Sequence, residues 1–124
     1  MTQTIDNEST RLIESVVDAI YDKRGKRVTT IDLSALDVSN ALNYVIATGN
    51  TPTQVSAIAD NIREHVQKEL GVKPINYDGY RNSTWIVIDY GALMVHVFVP
   101  AAREFYDIEQ LWSDGVINER PDPD

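Results

Sequence analysis

Few residues in this chain have the type and spacing for covalent chemistry. Cysteine is absent, which removes thiolate nucleophiles, disulfides, iron–sulfur clusters and cysteine-ligated zinc together. A nucleophile needs a base beside it, and the imidazoles that could serve are His65 and His96 alone. No His-Glu-x-x-His or similar zinc spacing occurs. Asp32, Asp37, Asp78 and Asp89 fall at loops or strand ends and could in principle meet Mg²⁺. Only Asp122 and Asp124 are spaced Asp-x-Asp, and they lie in the C-terminal tail. There is no phosphate-binding P-loop, no dinucleotide fingerprint, no GXXG loop and no aromatic RNP segment. The expectation is binding rather than catalysis, with no catalytic residue, metal or cofactor.

Two features could bind anions without chemistry. Lys23, Arg24, Lys26 and Arg27 form a basic cluster that reads either as a phosphate patch or as a solvated helix end matched to the helix dipole. The segment Gly49-Asn50-Thr51-Pro52 leads from a strand into a helix N-terminus, a geometry that can hold an anion but is also an ordinary α/β junction.

The elements that must position these residues follow from periodicity. Leu12, Ile13, Val16, Val17 and Ile20 recur at helical spacing, and Gly25 follows as a stop. Val28–Leu33 and Tyr44–Thr48 read as strands, with a loop or short turn over Ala35–Asn43. Thr51 is an N-cap, Pro52 the first helical residue, and Gln54 completes a capping box. Val55, Ile58, Ala59, Ile62, Val66 and Leu70 make a core-facing stripe that Gly71 ends. A short strand over Lys73–Tyr77 precedes a turn at Asp78-Gly79. Thr84–Tyr90 is a nearly continuous apolar run, as in a central strand. Leu93–Val99 alternates until Pro100 ends it. A last helix over 101–112 carries Phe105, Ile108, Leu111 and Trp112 on one side, with Arg103 and Asp107 on its surface. The fold class is α/β (α+β), a single mixed sheet of about five strands with flanking helices, in the order αββαβββα.

The two longest strands predict a hairpin through Gly91. A two-residue loop puts Ile86, Ile88, Tyr90, Leu93, Val95, Val97 and Val99 on one face. Trp85, Val87, Asp89, Met94, His96 and Phe98 then share the other face, which mixes aromatic, thioether, imidazole and carboxylate groups. Such a face reads equally as a partner surface or as one covered by a helix with a satisfied core histidine.

The chain has 124 residues and a net charge of −8, enough for one domain and too acidic for generic phosphate binding. Half of that charge falls near the ends, in Asp6 and Glu8 and in Glu119, Asp122 and Asp124 of the tail against Arg120, where solubility accounts for it. We divide the chain into a flexible N-terminus over 1–8, one domain over 9–114 and an acidic flexible tail over 115–124. No membrane-length apolar run and no signal or transit pattern occurs. With no cysteine, the expected location is cytoplasmic.

Three segments together carry a family resemblance: Tyr44–Ile58 (YVIATGNTPTQVSAI), Trp85–Phe98 (WIVIDYGALMVHVF) and Arg103–Trp112 (REFYDIEQLW). From about residue 9 to 114 the chain resembles the Iojap-like ribosomal silencing factors. The resemblance implies a fold similar to nucleotidyltransferases without their catalytic residues. It implies binding to the large ribosomal subunit through the protein numbered fourteen in that subunit, steric blocking of subunit joining, and repression of translation in starvation or stationary phase. It also implies a homodimer when free, and no sequence-specific nucleic acid. The hairpin residues of the family match Trp85, Asp89, Gly91 and His96, and those of its last helix match Arg103, Tyr106, Glu109 and Trp112. Asn43, Asp78, Ala92 and Ala101-Ala102 depart from the pattern. The expected partner-binding set is Trp85, Val87, Asp89, Gly91, Met94, His96 and Phe98. The competing expectation is a small nucleotide-binding or nucleotidyltransferase-like enzyme.

Overall fold

The computed structural model describes residues 2–36 and 41–123, with side chains from Glu8 onward. The expected loop over 35–43 and the candidate carboxylates Asp37 and Asp124 therefore fall partly or wholly outside the described residues. In chain order the elements are α1 (Thr2–Asp22), β1 (Lys26–Asp32), β2 (Asn43–Thr48), α2 (Pro52–Leu70), β3 (Asn76–Asp78), β4 (Trp85–Asp89) and β5 (Leu93–Phe98). They continue with α3 (Pro100–Tyr106), α4 (Ile108–Leu111) and β6 (Val116–Glu119). Among the described residues no helix is long and apolar enough to cross a membrane.

The strands form one six-stranded mixed sheet in the order β3-β4-β5-β2-β1-β6. Among the described residues only β2 and β5 pair in parallel. Parallel neighbours need a long crossover, and here the chain between them contains α2. On one face of the sheet Val16, Val17 and Ile20 of α1 and Val55, Ile58, Ile62 and Val66 of α2 pack on Val45, Ala47, Ile86, Ile88, Val95 and Val97. That is the apolar face expected of the hairpin. At about 25 cal/mol per Å² of apolar surface buried, this layer dominates the stability of the domain.

The start of α2 follows the sequence reading except that the return bond of the capping box goes to Asn50 instead of the N-cap Thr51. Thr51 Oγ1 accepts from the Gln54 N–H at 3.1 Å and Gly71 closes the helix at φ 69°. Gln54 also reaches outward: its Oε1 accepts from the Asn50 N–H at 2.7 Å, and its Nε2 donates to the carbonyls of Lys23 and Arg24 at 3.1 Å each. One side chain thus caps α2 and fastens the end of α1.

Two regions differ from expectation. The segment 115–124, expected as a flexible tail, contributes β6, which pairs antiparallel with β1 from Thr29↔Glu119 to Asp32↔Val116. Its composition is polar, but β1 offers an open edge whose backbone groups need partners. The segment is held further by Arg120 on Glu14 at 2.6 Å, by the Tyr21 hydroxyl donating to the Pro121 carbonyl at 2.9 Å, and by the Arg27 N–H donating to Asp122 Oδ1 at 2.9 Å. At the other end, α1 begins at Thr2, within the stretch 1–8 expected to be flexible.

The single last helix is instead two short ones. Asp107 sits in the left-handed region at φ 44° and breaks the helix between α3 and α4. The break rotates the apolar stripe apart: Ile108 and Trp112 turn to the sheet, while Phe105 and Leu111 turn to solvent. Arg103, expected on the surface, faces inward and is only 3% exposed.

Candidate functional site

The hairpin has the two-residue turn that the face assignment requires. Tyr90 N–H donates to the Leu93 carbonyl at 2.8 Å across Gly91-Ala92. Gly91 takes φ 87°, and Ala92 does not share the positive φ, as in a type II′ turn. Asp89 Oδ1 accepts from the Gly91 N–H at 2.7 Å, so this carboxylate shapes the turn. The resulting register is Trp85↔Phe98, Val87↔His96 and Asp89↔Met94. All six side chains share the sheet face opposite α1 and α2.

This face is divided along its length. At one end α3, α4 and Leu36 cover it, packing Ile108, Ala102 and Trp112 against Ile31, Leu33, Ile46 and Phe98. Phe98 is fully buried there and cannot meet a partner, which corrects its place in the expected binding set. Its burial follows from the helix pair, whose inward side the broken stripe concealed. Trp85, Val87, Asp89, Gly91 and Met94 are half-buried and lie along the less covered part.

Aromatic rings form a continuous layer across the face. Trp85 stacks on Phe98 at 5.1 Å and meets Tyr106 at 4.5 Å. Tyr44, next to Met94 in the parallel register, lies 4.9 Å from His96 and 5.7 Å from Trp112. Tyr106 is 50% exposed and its neighbour Phe105 is 81% exposed. Tyr44 and Trp112 were not in the expected binding set, nor were Phe105 and Tyr106. The signal for Tyr106 and Trp112 was present in the Arg…Tyr…Glu…Trp spacing of the last helix, but nothing in the spacing brings them to the hairpin.

His96 is 5% exposed and sits at the centre of this layer. The indole N–H of Trp85 donates to its Nδ1 at 3.1 Å. Burial pushes the imidazole pKa down to about 4, so the ring is neutral near pH 7. The Trp85 bond places the lone pair on Nδ1 and hence the proton on Nε2. That Nε2 has no hydrogen-bond partner among the described residues. The structure therefore joins both readings of the face: His96 is helix-side core, while Trp85 and its outer neighbours remain accessible.

Arg103 holds the covering helices in place. Its Nε and Nη2 donate to the two carboxylate oxygens of Glu109 at 2.9 and 3.0 Å. Nη1 donates to the Arg27 carbonyl at 2.6 Å and Thr48 Oγ1 at 2.9 Å, and Nη2 also to Thr29 Oγ1 at 3.0 Å. The hydrogen bonds from Arg103 hold the Glu109 carboxyl below its usual range. The buried cation is thus paired and fully hydrogen-bonded, the condition under which burial is tolerated.

The remaining candidates do not assemble. His65 is on α2, 3.6 Å from Glu69. Asp32 accepts from the Ser34 N–H and hydroxyl, and Asp78 from the Gly79 N–H, as turn-forming carboxylates do. Among the described residues no group of three or more His, Asp or Glu side chains is placed to hold a metal ion.

Fold and site define a small α/β domain with one packed sheet face and one half-covered aromatic face. The chain belongs to the ribosomal silencing factor family: the family model described as ribosomal silencing factor during starvation matches residues 6–124. A ribosomal silencing factor of Chromobacterium violaceum is 36% identical over 96 residues, covering 77% of either chain. A mitochondrial Iojap-related protein of Arabidopsis thaliana is 41% identical over 73 residues, covering 56% of this chain and 39% of that one. A crystal structure of a Chromobacterium violaceum protein superimposes with a TM-score of 0.79 at 34% identity, over 84% of this chain and 85% of the other.

Proposed function

We propose that this protein silences translation without catalysis, by binding the large ribosomal subunit and obstructing its union with the small one. In this reading the docking surface is the outer part of the aromatic face, with Trp85, Val87, Asp89 and Met94 on the hairpin and Tyr106 beside them. The partner is the protein numbered fourteen of that subunit, and the setting is starvation or stationary phase in the cytoplasm. A homodimer is the free form.

The observation that carries the reading is the exposed Phe105–Tyr106 edge lying against half-buried Trp85 at 4.5 Å, in a member of a family of silencing factors. Aromatic side chains anchored by packing and open on one side are the usual energetic centres of protein interfaces. Steric obstruction needs such a surface and bulk, and no reacting group. The net charge of −8 adds electrostatic attraction to a basic ribosomal protein, speeding encounter at low salt.

The test is cosedimentation of the purified protein with isolated large and small subunits. Retention on large subunits only is the expected result. Retention on neither, or equally on both, would remove the proposal.

A further inference from the structure

The basic turn between α1 and β1 is not used by the aromatic face. It holds four of the eleven Lys and Arg residues, with Asp22 before them in sequence and the Asp122 carboxylate on the Arg27 N–H. Lys23, Arg24, Lys26 and Arg27 are all exposed. None makes an ion pair among the described residues, whereas Arg63, Arg103 and Arg120 are paired with Asp60, Glu109 and Glu14. Arg11, Lys68, Lys73 and Arg81 likewise make no ion pair among the described residues, but they are scattered, whereas these four fall within five positions.

A dipole-matched helix end explains only half of it. Lys23 and Arg24 directly follow Asp22, where α1 ends, and lie within reach of its dipole. Lys26 and Arg27 belong to β1, beyond the single turn over which a helix dipole acts.

The turn is also held in a fixed shape. Arg24 takes the left-handed conformation of a helix C-cap at φ 62°, its N–H on the Tyr21 carbonyl and that of Gly25 on the Ile20 carbonyl, while Arg27 takes it within β1 at φ 52°, unfavourable for a residue with a Cβ. Fixed partners enforce it. Gln54 Nε2 binds the carbonyls of Lys23 and Arg24, Arg103 Nη1 binds the carbonyl of Arg27, and Asp122 binds its N–H. Gly25 is packed so closely that a Cβ there would collide with Ile20 Cγ2. A register shift between Lys26 and Thr29 in the β1–β2 pairing marks the bulge on which Arg27 sits. Bulges of this kind re-aim side chains at functional edges.

We infer that Lys23, Arg24, Lys26 and Arg27 form a phosphate-binding ridge that takes ribosomal RNA backbone when the protein is docked on the large subunit. The inference rests on the proposed function. Arg103 supplies the link: it sits on α3 with Phe105 and Tyr106 and grips the Arg27 backbone directly. The ridge and those aromatics share one end of the sheet, where Lys26 pairs with Thr48, Thr48 with Phe98, and Phe98 with Trp85 under Tyr106. On a ribonucleoprotein the neighbour of a protein surface is RNA, and its phosphates match exposed Lys point charges and Arg forks. The otherwise acidic chain repels RNA elsewhere, so the ridge sets orientation without giving general RNA affinity.

The test compares wild type with Lys23→Gln, Arg24→Asn, Lys26→Gln and Arg27→Asn combined, Asn being tolerant of the left-handed region. Affinity for purified large subunits is measured over a salt series, and affinity for the isolated ribosomal protein partner in parallel. Each phosphate left without its cation takes about 0.7–0.9 off the slope of log affinity against log salt, so a shallower slope and an affinity about tenfold weaker on the particle are expected. Binding to the isolated protein should not weaken, since the variant is the more acidic one. An unchanged slope on the particle would overturn the ridge, as would an equal weakening on the isolated protein. Failure of wild type itself to bind large subunits would overturn the proposed function and the ridge together. The pair Lys23→Gln with Lys26→Gln leaves both left-handed positions intact, so its slope reads the ridge even if the fourfold variant melts early.

Discussion

The Trp85 indole N–H donates to His96 Nδ1 at 3.1 Å, and this bond ties the half-exposed edge of the aromatic face to its buried centre. Protonating the ring would place a hydrogen on Nδ1, beside the one already on Nε2, and break the bond. Burial opposes the same event and holds the imidazole pKa at about 4, against 6.5 for the free group.

A folded pKa below the unfolded one means that the unfolded chain binds the proton first. Stability from His96 is therefore complete above pH 6.5 and is lost as pH falls toward 4. Between pH 7 and 4.5 the loss from this group is roughly 2–3 kcal/mol. Urea unfolding of wild type and His96→Phe at several pH values checks it. The difference between the two curves should change below pH 6.5 by that amount, with wild type the more acid-sensitive. A constant difference would count against a neutral buried ring.

Arg103 is the fastening of α3 and α4. Arg103→Ala removes both bonds to Glu109 and those to Arg27, Thr29 and Thr48, and should cost about 3 kcal/mol, as for other broken buried pairs. Glu109→Gln leaves the cation buried and less compensated, with a smaller loss. Because the Glu109 pKa is lowered, its contribution is present above the ordinary carboxylate pKa of 4.5 and fades as pH falls through its folded value. Chemical denaturation at pH values above and below that range separates the two variants.

Tyr106 and Phe105 are the changes that separate binding from folding. Both are exposed, whereas Trp85 also stacks on Phe98 and supports the core. Phe105→Ser with Tyr106→Ser should weaken large-subunit binding about tenfold or more, the scale of a missing aromatic hot spot, with an unchanged circular dichroism spectrum. Trp85→Ala with Met94→Ala should weaken it similarly, but with a lower melting temperature. Unchanged affinity in the serine pair would exclude the α3 edge from the interface.

Truncation after Gly115 tests the C-terminal segment. It removes β6, the Arg120–Glu14 pair and the bonds to Tyr21 and Arg27. Arg120→Ala alone should cost at most about 1 kcal/mol, since that pair is solvent-accessible. The truncation should cost several times more, because it also frees the β1 edge, and should raise hydrogen exchange in Thr29–Asp32. Native-state hydrogen exchange reads both effects.

The hairpin was legible in sequence because parity is unforgiving. Once Gly91-Ala92 is a two-residue turn, Trp85 must oppose Phe98, and every face assignment follows. The caps and stripe of α2 were legible for a similar reason, since Thr51, Pro52, Gln54 and Gly71 act locally. The last helix was not. Its apolar spacing fits one helix, and the left-handed Asp107 that divides it has no signature such as glycine. The decision depends on the long-range grip of Arg103 on Thr29 and Thr48, which no local window contains. β6 was hidden likewise, because a polar strand is chosen by the open edge of β1 rather than by its own propensity. The candidate face was therefore visible on the hairpin and invisible where α3 and α4 complete or cover it.

The central claim is tested most directly by a sucrose-gradient profile of ribosomal subunits mixed at joining magnesium concentration, with and without the protein. The account predicts fewer joined ribosomes, more free subunits, and the protein sedimenting with the large subunit. A profile unchanged by saturating protein would contradict it.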